Sequence, residues 1–236
     1  MHVPDGFLDA QTSIATGAVA AATVGYALRK ARTELDDRTA PMAGLVATFV
    51  FSAQMMNFPV GLGTSGHLLG GALAAVLVGP WTGLLAVSVV LIVQALLLAD
   101  GGITALGTNI SLMAIVGVLV GWLVFRGLQI LAPKRVGLVP VLAGLGALVS
   151  VPVAALLFVG LYAVGGTAPV PLDGLATAML GWHVLIGLGE AVITGLVVAS
   201  VIALRPDLVY GARPVQRRRE LEIRTAAQPG EREAAA

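Results

Sequence analysis

Residues 81–99 read WTGLLAVSVVLIVQALLLA, a stretch of 19 residues without a charged side chain. An apolar run of about twenty residues is long enough to cross a lipid bilayer as an α-helix. Gly-Pro precedes the run at 79–80 and Asp-Gly-Gly follows it at 100–102, so helix-breaking residues lie on both sides. This stretch therefore predicts a membrane-spanning helix.

The composition extends this interpretation to the rest of the chain. Of the 236 residues, 57% are hydrophobic and only 11% are charged, whereas soluble domains carry about 25% charged residues. The alternating strands of a membrane β-barrel are absent. We therefore predict an all-α, polytopic membrane helical bundle. Its apolar runs indicate about seven transmembrane helices, at 11–29, 41–56, 67–79, 81–99, 106–125, 138–164 and 178–204.

The charged residues predict the orientation and the domain boundary. Basic residues accumulate in cytoplasmic loops. With the N-terminus outside, all 14 Lys and Arg residues fall in the inward segments, 29–40, 79–81, 126–137 and 205–236. The outer segments hold only acids: Asp5, Asp9, Asp100 and Asp173. We therefore expect a multi-pass protein of the cell membrane, with a transmembrane domain over 1–204 and a disordered, charged cytoplasmic tail over 205–236.

The first eight residues, MHVPDGFL, contain one of only three histidines. The segment lacks the basic start of a signal peptide, so we expect it to be kept with a free amine on Met1. That amine, the amide nitrogen of His2 and the imidazole of His2 can surround a small cation in fused chelate rings. The alternative is that His2 is a solvated residue at a frayed chain end.

His67 lies on the same predicted outer face. The run at 67–79 is too short to cross comfortably, so we expect His67 part-way into the membrane, where non-helical backbone is tolerated only if it lines a cavity or is buried in protein. The His67 imidazole would supply a fourth nitrogen ligand. Four nitrogens in a square-planar arrangement favour Ni(II), Cu(II) or low-spin Co(II) over tetrahedral zinc. Cysteine is absent, which removes thiolate ligands. Alternatively, His67 caps a helix or packs on Trp81.

Six further polar residues lie in or beside the predicted spans. His183 and Glu190 are seven apart and share one face of the last helix. Glu190 is either a charge near the metal or the proton-coupling carboxylate of a secondary transporter, unless both residues simply bond other helices. The remaining four are amides, which orient the imidazoles or join helices by hydrogen bonds: Gln54, Asn57, Gln94 and Asn109.

Other motifs exclude several functions. Ser65 beside His67 lacks the separately positioned base of an intramembrane protease, so we do not predict an enzyme. A GxxxxGK[ST] phosphate loop is absent, so ATP hydrolysis would need partner subunits. The arginines at 217–219 indicate contact with the membrane lipid surface or a topology anchor. No nucleic-acid partner is predicted.

Several ungapped blocks resemble the CbiM/NikM family, the substrate-capturing (S) components of energy-coupling factor (ECF) importers for cobalt and nickel. The blocks fall in the family's order between residues 1 and 204. They are MHVPDGFL (1–8), AQMMNFP (53–59), GTSGHLLGG (63–71), LVGPW (77–81), QALLLADGG (94–102), TALG (104–107) with Asn109, and HVLIGLGEA (183–191).

The resemblance implies that Co(II) or Ni(II) is bound as the transported substrate by Met1, His2 and His67. It also implies three kinds of partner: a transmembrane coupling (T) subunit, paired ATPase (A) subunits and a separate small companion membrane protein. A self-sufficient, ion-coupled metal carrier that uses Glu190 is the second function left open. The residues themselves do not choose between cobalt and nickel.

Overall fold

The structure of the protein, a computed structural model, describes residues 1–35, 40–61, 64–132 and 135–218. Within these ranges the chain is a helical bundle with one small β-hairpin. The elements are α1 (Ala10–Lys30), α2 (Ala40–Gln54), β1 (Phe58–Gly61), β2 (Thr64–Gly66), α3 (Gly71–Val78), α4 (Pro80–Leu97), α5 (Leu106–Asn109), α6 (Gly117–Leu131), α7 (Val139–Gly165) and α8 (Leu172–Leu204).

Four helical segments of the described chain are long and apolar enough to cross a membrane. They are Pro80–Leu97, Leu106–Leu131, Val136–Gly165 and Leu172–Leu204. The prediction of a helical membrane protein is therefore confirmed. Helix α2 is a shorter apolar helix of 15 residues. The total of seven spans and the outward N-terminus stay predictions.

The predicted third run forms a helix much shorter than a bilayer. Helix α3 has eight residues, all buried, and eight residues rise only about 12 Å. Gly71 makes this close packing possible, because a Cβ there would lie 2.6 Å from the carbonyl carbon of Gly117. The residues before α3 are not helical. Strands β1 and β2 pair antiparallel, with Phe58 opposite Gly66, and this hairpin is the exception to the all-α prediction.

A π-helical segment, Ile110–Val116, connects α5 and α6 into one continuous rod. Such segments contain i to i+5 hydrogen bonds and are frequent at functional sites. Asn109 immediately precedes the segment and is almost completely buried. The segment therefore sets which side of the bundle Asn109 faces.

The region after α8 differs from the predicted tail. Residues 205–218 contain 3-10 turns at Pro206–Leu208 and Tyr210–Ala212, followed by a helical stretch at 213–218. The Gln129 side chain donates to the Gly211 carbonyl at 2.8 Å, and Gly211 is buried. The folded region therefore extends past the boundary predicted at residue 204. Arg38, Lys134 and the predicted tail from Arg219 onward lie outside the described residues.

Candidate metal centre

The first nine residues lie among the helix ends at one end of the bundle. Met1 is 2% exposed and Val3 is 0% exposed. The Phe7 ring lies 5.7 Å from that of Phe158 and 5.1 Å from that of Tyr162. Fully buried apolar side chains stabilise a segment in proportion to the area that they remove from water. The alternative of a frayed, solvated N-terminus is therefore wrong.

Main-chain hydrogen bonds fix this segment on both sides. Val3 donates to Asn109 Oδ1 at 2.7 Å and accepts from the Gly102 amide at 2.9 Å. Asp9 donates to the Gly165 carbonyl at 2.7 Å. These bonds satisfy main-chain groups that would be costly to bury unpaired. They join the segment to the loop after α4, to the end of α5 and to the end of α7.

Asp5 adds a charged contact at the surface. Its Oδ1 accepts from the amide of Thr104 at 2.7 Å and also from the Thr104 hydroxyl. Hydrogen bonds from the Thr104 side chain and main chain hold the pKa of Asp5 below its usual value. Gly102 packs so closely that a Cβ there would lie 2.4 Å from the Asp5 nitrogen. The Asp-Gly-Gly turn at 100–102 thus packs directly against the N-terminal segment.

His2 is buried, and an acceptor oxygen lies beside each of its ring nitrogens. Its Nε2 lies 3.2 Å from Gln94 Oε1, and this contact is a hydrogen bond in the tautomer that carries the proton on Nε2. In that tautomer His2 Nδ1 keeps its lone pair. Asp100 Oδ1 lies 3.2 Å from the same nitrogen.

The ionisable groups around His2 are shifted toward their uncharged forms. Burial lowers the pKa of the Met1 amine to about 4 and that of His2 to about 3. Burial also raises the pKa of Asp100, which the neighbouring amine opposes. Both nitrogen groups therefore have an available lone pair at neutral pH, as a metal ligand requires.

The His67 ring stacks on the His2 ring, with centroids 4.5 Å apart and planes at 29°. His67 Nδ1 donates to the Leu68 carbonyl at 2.8 Å, so Nε2 holds the lone pair. That Nε2 is buried and has no hydrogen-bond partner in the described part of the chain. Trp81 instead contacts Tyr26, with ring centroids 5.0 Å apart. The alternative that His67 packs on Trp81 is therefore wrong.

Glu190 and Gln54 hold the segment that follows His67. Glu190 accepts from the Leu69 amide at 2.7 Å and from the Gly70 amide at 2.9 Å. Gln54 Nε2 donates to the Leu69 carbonyl at 2.8 Å. Gly70 has a φ of 74°, a left-handed conformation that favours glycine. Both Glu190 oxygens are thus occupied by the backbone that positions His67.

The other two candidates differ in how close they lie to the stacked rings. His183 interacts electrostatically with His67 and with the Met1 amine. His183 donates from Nδ1 to the Met179 carbonyl at 2.7 Å, and its buried Nε2 has no partner among the described residues. Asn57 is exposed at the rim of an apolar cavity of about 620 Å³ that Trp182 and Ile186 also line. Neither residue bonds the His2–His67 pair.

Sequence reasoning missed two contributors to this site, Asp100 and Gly102. Both belong to the block at 94–102, from which the sequence singled out only Gln94 as a candidate partner of the imidazoles. Within the described ranges, no three side chains from His, Cys, Asp and Glu are arranged to hold a metal ion. Any metal held at this site would therefore need main-chain nitrogen as well as side-chain ligands.

Comparisons with known proteins agree with this fold. Residues 2–208 match the CbiM family, described as "cobalt uptake substrate-specific transmembrane region". The fused nickel transport protein NikMN of Rhodobacter capsulatus is 35% identical over 240 residues, covering 94% of this chain and 68% of the relative. The cobalt transport protein CbiM of Sorangium cellulosum is 35% identical over 218 residues, covering 89% of this chain and 94% of the relative.

Solved structures of metal transporters are also similar to this chain. The crystal structure of a truncated transition metal transporter is 32% identical, with a TM-score of 0.79, and the match covers 86% of this chain and 99% of that one. The helical membrane fold and these matches define a metal-transport membrane protein. The chain belongs to the CbiM family, which confirms the resemblance found in the sequence.

Proposed function

We propose that this chain captures Co(II) or Ni(II) as its transported substrate at the predicted outer face of the cell membrane. The ligands are four nitrogens: the Met1 amine, the His2 amide, which releases its proton to solvent as the metal binds, His2 Nδ1 and His67 Nε2. The observation that carries the proposal is the stacked His2–His67 pair, in which the buried His67 Nε2 lacks a partner among the described residues and His2 Nδ1 faces the Asp100 carboxylate at 3.2 Å. Orphaned buried polar atoms of this kind require an explanation.

Chelate geometry supports the same atoms. A metal bound to the Met1 amine and the His2 amide closes a five-membered ring. Its bond to the His2 ring then closes a six-membered ring only through Nδ1, because Nε2 points away from the main chain. Gln94 accepts from Nε2 and so leaves Nδ1 available. Outer hydrogen bonds of this kind orient ligating imidazoles, and four nitrogens in a square suit Ni(II) and low-spin Co(II).

The metal content of the purified protein tests this site. We expect wild type to retain cobalt or nickel, and His2→Ala and His67→Ala each to lose nearly all of it, because each removes a ligand. Metal per protein is measured by inductively coupled plasma mass spectrometry after loading and desalting. Asn57→Ala is the matched control, since this exposed polar residue lies apart from the rings. An unchanged metal content in both histidine variants would refute the proposed site.

We further assign the chain the role of the S component of an ECF importer. A coupling subunit and paired ATPases would supply the energy, because the chain has no phosphate loop of its own. Helix α1 has an exposed face of small residues that suits close helix packing. This face comprises Ala18, Ala21, Ala22 and Gly25.

Ala22→Leu tests this docking face. We expect the larger side chain to hold a partner helix away, so that co-purification of the coupling subunit falls several-fold on co-expression. Metal binding by the isolated chain should not change, because Ala22 lies outside the metal centre. Val192→Leu, on the exposed face of α8, is the control. An intact complex with Ala22→Leu counts against this face.

A further inference from the structure

A second cavity lies toward the opposite end of the α5–α6 rod from the metal centre. Arg126 is 17 residues after Asn109, which corresponds to about 25 Å of helix. The cavity has a volume of about 590 Å³ and is formed by α6, the residues after α8 and Thr33, which follows α1. It shares no lining residue with the metal centre and plays no part in the proposed metal capture.

The cavity is strongly basic. Its lining includes four arginines and, among the described residues, no carboxylate. One arginine comes from α6 and three from the helical stretch at 213–218: Arg126, Arg213, Arg217 and Arg218. Arg213 and Arg217 are four residues apart and so lie on one face of that stretch.

Aromatic rings arrange these guanidinium groups. Arg126 lies 5.7 Å from the centre of the Trp122 ring, and Arg213 lies 4.9 Å from that of Tyr210. The two rings are themselves 5.6 Å apart. Arg126 also donates to Gln129 Oε1, and Arg213 donates to the Glu34 carbonyl at 3.3 Å, so ring contacts and hydrogen bonds together position both guanidinium groups. The guanidinium groups of Arg126 and Arg213 thus lie beside two aromatic rings that contact each other.

The pKa of the Tyr210 hydroxyl also reflects the nearby arginines. Burial and the nearby Glu34 carboxylate raise the pKa of Tyr210, while Arg213, Arg126 and Arg217 each act in the opposite direction. Three cationic side chains from two separate parts of the chain therefore act on one hydroxyl group. A ligand that enters this cavity meets several positive charges together.

An apolar surface leads directly into the cavity. Leu123, Arg126 and Ile130 are spaced by three and four residues, so they lie on one face of α6. Leu123 is 66% exposed and Ile130 is 67% exposed. Arg126 thus interrupts an outward apolar stripe on a helix long enough to span the membrane. Trp122 and Tyr210 are residue types that concentrate at the lipid–water boundary.

We propose that this cavity binds the phosphodiester headgroup of an anionic phospholipid, with an acyl chain lying along Leu123 and Ile130. Guanidinium groups form strong, charge-assisted hydrogen bonds to phosphate oxygens, and basic pockets between transmembrane helices bind anionic lipid headgroups. The adjoining apolar stripe favours a lipid over a soluble anion, which would leave that surface without a partner. The site would fix the bundle to one leaflet.

Native mass spectrometry of the full chain in detergent tests this site. The probes are 1-palmitoyl-2-oleoyl phosphatidylglycerol and phosphatidylcholine, which have the same acyl chains and differ in headgroup charge. We expect wild type to retain phosphatidylglycerol preferentially. The double variant Arg126→Gln/Arg217→Gln should bind it about tenfold more weakly or worse. Equal retention of the two lipids by wild type would overturn the proposal.

Two controls distinguish a specific lipid site from a general charge effect and from a free-phosphate site. Arg205→Gln removes an exposed arginine that pairs with Asp207 outside the cavity, at 2.8 Å, and should leave lipid binding unchanged. A loss as large as that of the double variant would refute the site. The second control adds inorganic phosphate as a competitor of the lipid. Strong competition by phosphate, without a preference between the lipids, would identify a free-phosphate site and contradict the proposal.

Discussion

A few residues added before Met1 are expected to abolish Co(II) and Ni(II) binding while the helical bundle remains folded. The extension converts the Met1 amine into an amide and removes a ligand. It also needs space where Met1 is only 2% exposed. Loss of an outer hydrogen-bond partner of a metal ligand typically costs about 10- to 100-fold in affinity, so loss of a ligand should cost more. Isothermal titration with cobalt and nickel measures the effect.

The control is the same peptide placed at the C-terminus, which should leave affinity unchanged. Gly102→Ala provides a second route to the same result, because its Cβ would lie 2.4 Å from the Asp5 nitrogen and displace the segment. Gly25→Ala is its matched control, since a Cβ there meets nothing within 4 Å. Circular dichroism and size-exclusion chromatography establish that the variants fold. Full affinity in the N-terminally extended protein would refute the amine as a ligand.

Glu190→Gln is expected to weaken metal binding by about 10- to 100-fold, the cost of removing a partner that positions a ligand. Glutamine has one acceptor oxygen where Glu190 uses two, for Leu69 and Gly70. One amide would therefore lose its partner, and the backbone after His67 would shift. Titration of the purified variant with cobalt gives the affinity. Asp173→Asn, an exposed acid in the first turn of the same helix, should match wild type.

This variant also separates the two functions left open by the sequence. If Glu190 positions His67, binding by the isolated chain weakens and transport falls with it. If Glu190 couples an ion gradient in a self-sufficient carrier, binding stays near wild type and only transport is lost. Measuring both in the same preparation decides between them. Normal binding with abolished uptake would rule out the positioning role.

Hydropathy predicted the long helices well, because an apolar run of membrane length can be recognised without knowing which residues pack against it. It was weakest where the chain is short or irregular. The run at 67–79 contains only eight helical residues, since α3 is enclosed by other helices and need not match the bilayer. The folded stretch after residue 204 was missed because its stability depends on contacts such as Gln129 with Gly211. Charged composition gives no sign of such contacts.

The site was predicted in part for a similar reason. His2 and His67 stood out because histidine is rare here and both were placed on one predicted face. Their stacking, and the role of Gln94 in fixing a tautomer, depend on packing between residues more than 60 positions apart. Asn57 looked equivalent to Gln54 in sequence, yet it is exposed while Gln54 is buried. Spacing alone cannot distinguish inward from outward amides where the helix ends between them.

The π-helical segment Ile110–Val116 has a consequence for the register of the rod. An α-helix turns about 100° per residue, and a π bulge accommodates an extra residue without rotating the helix beyond it. If the segment relaxed to regular α geometry, Asn109 would swing by roughly that angle relative to α6. The Asn109 bonds to Val3 would then break while the packing of Gly121 on Ala72 stayed in place. The extra residue therefore aligns two faces of one rod that a uniform helix would leave out of phase.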